Sequence, residues 1–194
     1  MIENPKTPEP YKYIEIMDKT TVKDFSPNVA GYFKNENISN LRLVMMNHQV
    51  YDYFTKRIGF TFRPPMVAVD MDEANVSQLF KPEAKEIIDY NFDQKFVITM
   101  PNVEKIDLKI EGQLVHEITH YLQIQKEKIK GGSNLILSEY IHQEHEKQAI
   151  IEEMRYFKSK KVNSYNKVMA IMTEENHILA DWEKTHYLKL WNSL

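Results

Sequence analysis

Two histidines four residues apart with a glutamate directly after the first, His116-Glu117-Ile118-Thr119-His120, are the residues of this chain best suited to chemistry. In a helix, positions i and i+4 stack on one face, so both imidazoles can reach a single divalent ion at about 2.0–2.1 Å. The glutamate at i+1 projects beside the pair without joining it. From there it can accept a proton from a water activated at the metal, the role of a general base. The chain contains no cysteine, which excludes thiolate ligands, disulfides, iron–sulfur clusters and thiol nucleophiles together. A soft-metal site must therefore be built from histidine and carboxylate.

The helix that carries the motif has to bury one side and present the other. With Leu114 set at 0° and steps of about 100° per residue, Leu114, Val115, Ile118, Tyr121 and Leu122 fall in one arc, and His116 and His120 fall roughly opposite, near 200° and 240°. The histidines thus face away from the apolar side, toward a cleft or another element, with Gln113 and Gln123 beside them. Gly112, one turn earlier on the histidine side, would let another part of the chain approach closely.

A catalytic zinc needs a third protein ligand and an open position. A histidine six residues after His120 would complete one known pattern, but Lys126 stands there, so the ligand must come from farther on. The segment from Ser138 to Ile150 offers Glu139, His142, Glu144, His145 and Glu146. On a helix Glu146, Ala149, Ile150, Glu153, Met154 and Phe157 share one stripe, so Glu146 and Glu153 interrupt an otherwise apolar face. Carboxylates are seldom buried without a partner, and a metal ion would supply one. Glu139 and His142 extend the stripe backward if the helix begins that early, while Glu144 and His145 point elsewhere. Glu146 is the favoured third ligand. Glu139, His142 and Glu153 remain as alternative ligands or as groups that orient the ligands. A donor stabilising negative charge in a transition state could come from His177 or Tyr140, with His186, Tyr156 and Tyr165 also available. Asp70 and Asp72 could bind a hard cation, although a strand-terminal loop explains them as well.

The elements that must position these groups read as follows. Residues 1–24, with Pro5, Pro8 and Pro10 among charges, form an extended surface arm. Ser26-Pro27 is a helix start. Leu41, Val44, Met45, His48, Tyr51, Phe54 and Ile58 recur at steps of three and four, which predicts one amphipathic helix closed by Gly59. Met66 to Val69 and Lys95 to Met100 are β-type runs. Asp107 caps a helix running to Lys130, where Gly131-Gly132 end it, and further helices span about Tyr140 to Lys160 and the region from Asn163 onward. In that last region Met169, Met172 and the two tryptophans are assigned to the core. The expected class is α+β, mostly helical with a small β-sheet beside the motif helix, and residues 25–194 are read as a single domain with N-terminal and C-terminal helical extensions.

A chain of 194 residues, 42% hydrophobic and 27% charged, buries a core large enough to fold without metal, so a metal would serve chemistry. The formal net charge of -3 implies no field that gathers nucleic acid or an anionic membrane, and neither is expected as a partner. No segment approaches 18 uninterrupted apolar residues, and the first residues lack a basic stretch followed by an apolar run, so a cytoplasmic protein is expected.

The segment from Gly112 to Gln123 resembles the active-site helix of the zincin metallopeptidases, and Glu146-Lys147-Gln148-Ala149 is similar to the E-x-x-A segment that carries the glutamate ligand in their gluzincin-like branch. That branch includes small ImmA/IrrE-type and phage-encoded peptidases. The resemblance covers about residues 95–157. It implies zinc as cofactor, peptide bonds as substrate, and an edge strand from Lys95 to Met100 that accepts an extended peptide by β-pairing. Several members carry Asp after the alanine where this chain has Ile150, and Glu153, one turn on, could take over that contact. The expected function is zinc-dependent hydrolysis of a peptide or protein substrate, with His116, His120 and Glu146 as ligands and Glu117 as base. The alternative is a catalytically silent zincin-like protein of binding or structural type, phage-like in origin.

Overall fold

The computed structural model describes residues 18–39, 41–57, 66–70, 96–103, 105–126, 143–173 and 179–194. By internal contacts the chain divides into two compact units, one of residues 1–25 and 39–103 and the other of residues 26–38 and 104–194. The fold is mostly helical with a small sheet, an α+β architecture.

The first unit holds the whole sheet, in which β1 (Asp18–Thr21), β2 (Arg42–Met46), β3 (Val67–Asp70) and β4 (Phe96–Pro101) are arranged in the order β1-β2-β4-β3. Strand β2 pairs antiparallel with β1 and parallel with β4, Leu43 lying opposite Ile98, while β3 runs antiparallel to β4 with Val67 opposite Thr99. Among the described residues the unit also holds two short helices, α1 (Val22–Phe25) and α3 (His48–Arg57). Tyr51 of α3, fully buried, donates from its hydroxyl to the Thr99 carbonyl at 3.4 Å and so ties α3 to β4.

Three sequence expectations change here. The single helix expected from Leu41 to Ile58 is a strand followed by a helix. Leu43, Val44, Met45 and Met46 are all buried, which suits a strand covered on both faces, and the Asn47 side chain then accepts from the Gln49 amide to open α3. Residues Asp18 to Thr21 of the expected arm form the edge strand β1. The strand expected to present an open edge to a peptide is β4, and it is paired on both sides, so that role falls. Its unbroken apolar run is the mark of an interior strand, and Ile98 and Met100 are fully buried.

The second unit is helical among the described residues: α2 (Pro27–Tyr32), α4 (Leu108–Gln125), α5 (Glu144–Ser159), α6 (Tyr165–Met172) and α7 (Asp181–Asn192). Ser26 caps α2 by accepting from the Val29 amide at 3.3 Å, and Asp107 caps α4 by accepting from Ile110 at 2.9 Å, both as the sequence indicates. Helix α4 closes at Lys126, whose amide bonds the Leu122 carbonyl, five residues short of the expected Gly131. Helices α4 and α5 pack on each other more extensively than any other described pair of elements.

Gly112 makes that packing close. A Cβ at this position would stand 2.3 Å from Phe157 Cζ and 3.1 Å from Glu153 Oε1. Beside it, a buried polar knot fixes α2 to both helices: Glu111 accepts from Tyr156 Oη at 2.7 Å, Ser26 Oγ at 2.8 Å and Asn28 Nδ2 at 3.0 Å. Burial works against the Glu111 charge, but these three donors and the charge of Lys160 outweigh it and hold the carboxyl below its usual range. Farther along, Val168 and Met169 of α6 are buried as expected, whereas Met172 and Trp191 are half-buried and Trp182 is exposed. The two tryptophans are therefore not core. Helix α7 buries Glu183 instead, with Tyr187 half-buried, and Lys158 lies over the Trp191 ring at 4.3 Å.

Candidate metal centre

On α4 the apolar arc drawn from the helical wheel is buried at Leu114, Val115, Ile118 and Tyr121, the first three at 0% exposure, and half-buried at Leu122. His116 and His120 therefore emerge on the opposite side, with side chains 18% and 12% exposed. On α5 the mixed stripe is also buried, from Glu146 through Ala149, Ile150, Glu153 and Met154 to Phe157. Close packing at Gly112 brings the two faces together. His116 Nε2 and His120 Nε2 stand 3.1 Å apart, His120 Nε2 is 3.2 Å from Glu146 Oε1, and His116 Nε2 is 3.4 Å from Glu146 Oε2.

The outer edges of both rings are held as well. Gln123, buried at 6% exposure, donates from its amide nitrogen to the His145 carbonyl at 3.0 Å. A carbonyl can only accept, so the other end of this amide, 3.0 Å from His120 Nδ1, is the oxygen. His120 Nδ1 must then be the donor, which leaves Nε2 as the lone-pair nitrogen turned toward Glu146. On the other ring, His116 Nδ1 lies 3.5 Å from Glu153 Oε2, so Glu153 holds the outer edge of that imidazole.

A lone-pair nitrogen facing a buried carboxylate oxygen at 3.2 Å needs positive charge between or beside them. Without a metal, protons supply it. Burial opposes the His116 cation, but Glu146, Glu153 and the charge of Glu117 raise its pKa well above the ordinary value. Burial likewise opposes ionised Glu146, and the two histidines reverse this and hold it far below the carboxylate range. A divalent cation satisfies the same demand. The ligand atoms of a tetrahedral zinc stand about 3.3 Å apart, as follows from its bond lengths; the two Nε2 atoms are 3.1 Å apart, and each reaches a different oxygen of Glu146, at 3.2 and 3.4 Å. His116, His120 and Glu146 thus form a group able to hold a metal ion.

Glu117 is half-buried on the same turn, and its charge acts on His116. Glu144 is exposed and paired with Lys147, away from the group, as expected. His145 departs from expectation. Its Nε2 lies 3.5 Å from Glu146 Oε1 and its ring centroid 5.8 Å from that of His120, because a side chain in the first turn of α5 can swing along the axis away from its wheel position. The adjacency of His145 to Glu146 was the signal that could have found it.

Of the candidate donors, Tyr156 is committed to Glu111 and Tyr165 donates to the Lys184 carbonyl at 3.0 Å, so both serve packing. His186 is half-buried on α7, its ring 5.9 Å from that of Tyr187. Tyr187 itself was missed: burial and then the charges of Glu153, Glu183 and Glu146 push its phenol pKa well up, so it stands protonated in the field of the site carboxylates. Glu139, Tyr140, His142, His177 and Asp72 lie outside the described residues. Asp70 ends β3 in the other unit.

Fold and site together define a protein with a helix-borne pair of histidines and a carboxylate from the neighbouring helix, arranged as a metal-binding group. Comparison with protein-family models, with curated proteins and with solved structures finds no match in any of the three. No helix among the described residues is long and apolar enough to cross a membrane.

Proposed function

We propose that this protein is a zinc-dependent metallopeptidase of zincin type. The observation that carries the reading is the convergence of His116, His120 and Glu146, with Glu117 directly after the first ligand on the same helix. A site that only held metal for structure would have no use for a base in that place.

His116, His120 and Glu146 hold the metal, and Glu153 and Gln123 fix the two rings so that both Nε2 atoms point at one spot. Zinc, when bound, supplies a Lewis acid that polarises a peptide carbonyl and acidifies water. Glu117 accepts the proton of the attacking water and delivers it to the departing amine. Two nitrogens and one oxygen are a donor set that suits zinc, a borderline-soft ion bound by histidine and carboxylate. The substrate is a peptide or protein chain.

The test is Glu117→Gln. The amide is nearly isosteric but takes up no proton, so the variant should keep one equivalent of zinc and its helical content while peptide hydrolysis falls by about 10²-fold or more. Cleavage at the wild-type rate by the zinc-loaded variant would refute the assignment of the base and, with it, this mechanism.

A further inference from the structure

We propose that His145 is a fourth protein ligand of the metal centre, displaceable by substrate, so that the resting site is closed. The inference rests on the metal-binding reading above and adds to it a residue that the three-ligand pattern omits.

Glu146 Oε1 is approached by two imidazole nitrogens, His120 Nε2 at 3.2 Å and His145 Nε2 at 3.5 Å. The second distance is also close to the separation of about 3.3 Å expected between neighbouring ligand atoms of a tetrahedral zinc. Measured ring to ring, His145 stands 5.8 Å from His120, whereas His116 stands 4.8 Å from it. The His145 ring therefore stands about an ångström farther from His120 than the His116 ring does, outside the group of three as it stands, and rotation of its side chain would bring it into the group.

The backbone beneath His145 cannot drift away. The Gln123 amide that orients His120 holds the His145 carbonyl at 3.0 Å, so one side chain positions both the ligand ring and the base of the fourth. The His145 side chain is 26% exposed in the first turn of α5, where the solvent side leaves its torsions free. Two neutral imidazoles and one carboxylate leave zinc one position short of four, and either water or a further imidazole fills it. The tethered imidazole has only its own rotation to complete, while a substrate carbonyl can take its place and leave the ring beside the site. Such an arrangement protects the centre from stray ligands until a substrate with enough binding contacts arrives.

The experiment loads the full-length protein with Co(II), whose visible absorption reports ligand number, and with zinc against a competing chelator. Wild type should give the intense bands of a tetrahedral site with three histidines. His145→Ala and His145→Gln should both weaken those bands and lower zinc affinity by about tenfold or more. Both should also bind azide at least tenfold more tightly than wild type, because no protein ligand has to leave. Added imidazole should restore the wild-type spectrum in His145→Ala. Circular dichroism checks that the variants fold, which a half-buried first-turn position favours. Spectra, zinc affinity and azide affinity equal to wild type in both variants would overturn the proposal, as would a His145→Gln that behaves as wild type, since a hydrogen-bond donor would then suffice. Wild-type protein that takes up neither metal would instead overturn the metal reading itself, before any variant is compared.

Discussion

Gly112→Ala tests whether the spacing of two helices sets the metal centre. In a solvated helix the change would stabilise by about 1 kcal/mol, because alanine has the higher helix propensity. Here the new methyl would meet Phe157 Cζ at 2.3 Å and Cε1 at 2.8 Å. Carbon–carbon contact is comfortable at about 3.5–4.0 Å, so ring or helix must give way by somewhat more than an ångström. Phe157 is fully buried, and Tyr156 beside it is tied to Glu111, so the ring has little room to turn. Overpacking of this kind costs about 1–3 kcal/mol. It exceeds the propensity gain over most of its range, and the variant should be less stable by about 1 kcal/mol. The same methyl would stand 3.1 Å from Glu153 Oε1, the atom's residue being the one that faces His116 Nδ1. Any outward shift of α5 carries Glu146 with it, so ligand separations now at 3.2 and 3.4 Å open and zinc affinity should fall by about tenfold or more. Urea denaturation and zinc titration against a chelator read the two effects, and Phe157→Leu in the Gly112→Ala background should recover part of the zinc affinity. A Gly112→Ala variant more stable than wild type by the whole propensity term, with unchanged zinc affinity, would refute the reasoning.

Glu146→Gln should weaken zinc binding by about tenfold or more while Glu144→Gln, altering an exposed residue paired with Lys147, changes little; equal effects would remove the ligand assignment. Glu111→Gln should cost about 2 kcal/mol at pH 7, the scale for a hydrogen-bonded buried charge. Because the folded-state pKa of Glu111 is lowered, its contribution is present above the unfolded value near 4.3 and is lost as pH falls through the folded one. The gap between wild type and variant should therefore narrow below about pH 4, and a gap that stays constant down to pH 3 would contradict the knot as drawn. Lys161, exposed just after α5, has φ 66°, so Lys161→Gly should stabilise by about 1 kcal/mol and raise Tm by a few degrees; a fall in Tm would count against that strain.

How much of this was legible in the sequence depended on whether the signal was local. Ser26 and Asp107 announce their helices through side chains that bond amides three residues on, and both do so. The stripe from Glu146 to Phe157 could be drawn from periodicity alone, since a helix that keeps its apolar spacing for about three turns has only one face to bury. Leu41 to Met46 misled because an apolar run satisfies steps of three and four as readily as a strand covered on both faces. The spacing was real, but the partners β1 and β4 decided the matter. The interior position of β4 likewise depends on which strands flank it, which no local pattern records. Gln123 was seen beside the histidines, yet its use as a clamp depends on the His145 carbonyl, 22 residues on.

What holds the ligand-bearing helices is separate from the ligands. Gly112 against Phe157 sets their approach, and Glu111 with Tyr156, Ser26 and Asn28 locks α2, α4 and α5 together at the adjacent residues. None of these contacts uses His116, His120 or Glu146. The ligand atoms are already within 4.8 Å of one another without an ion, so binding a metal need not bear the cost of ordering two helices. This differs from small zinc domains in which binding and folding are one event. Here a metal ion would meet an arranged set of donors whose outer nitrogens are already engaged by Glu153 and Gln123. Its affinity is then governed by local electrostatics and by helix spacing. That is why substitutions at Gly112 and Gln123, which touch no metal, should alter the site more than an exposed carboxylate such as Glu144, two residues from a ligand.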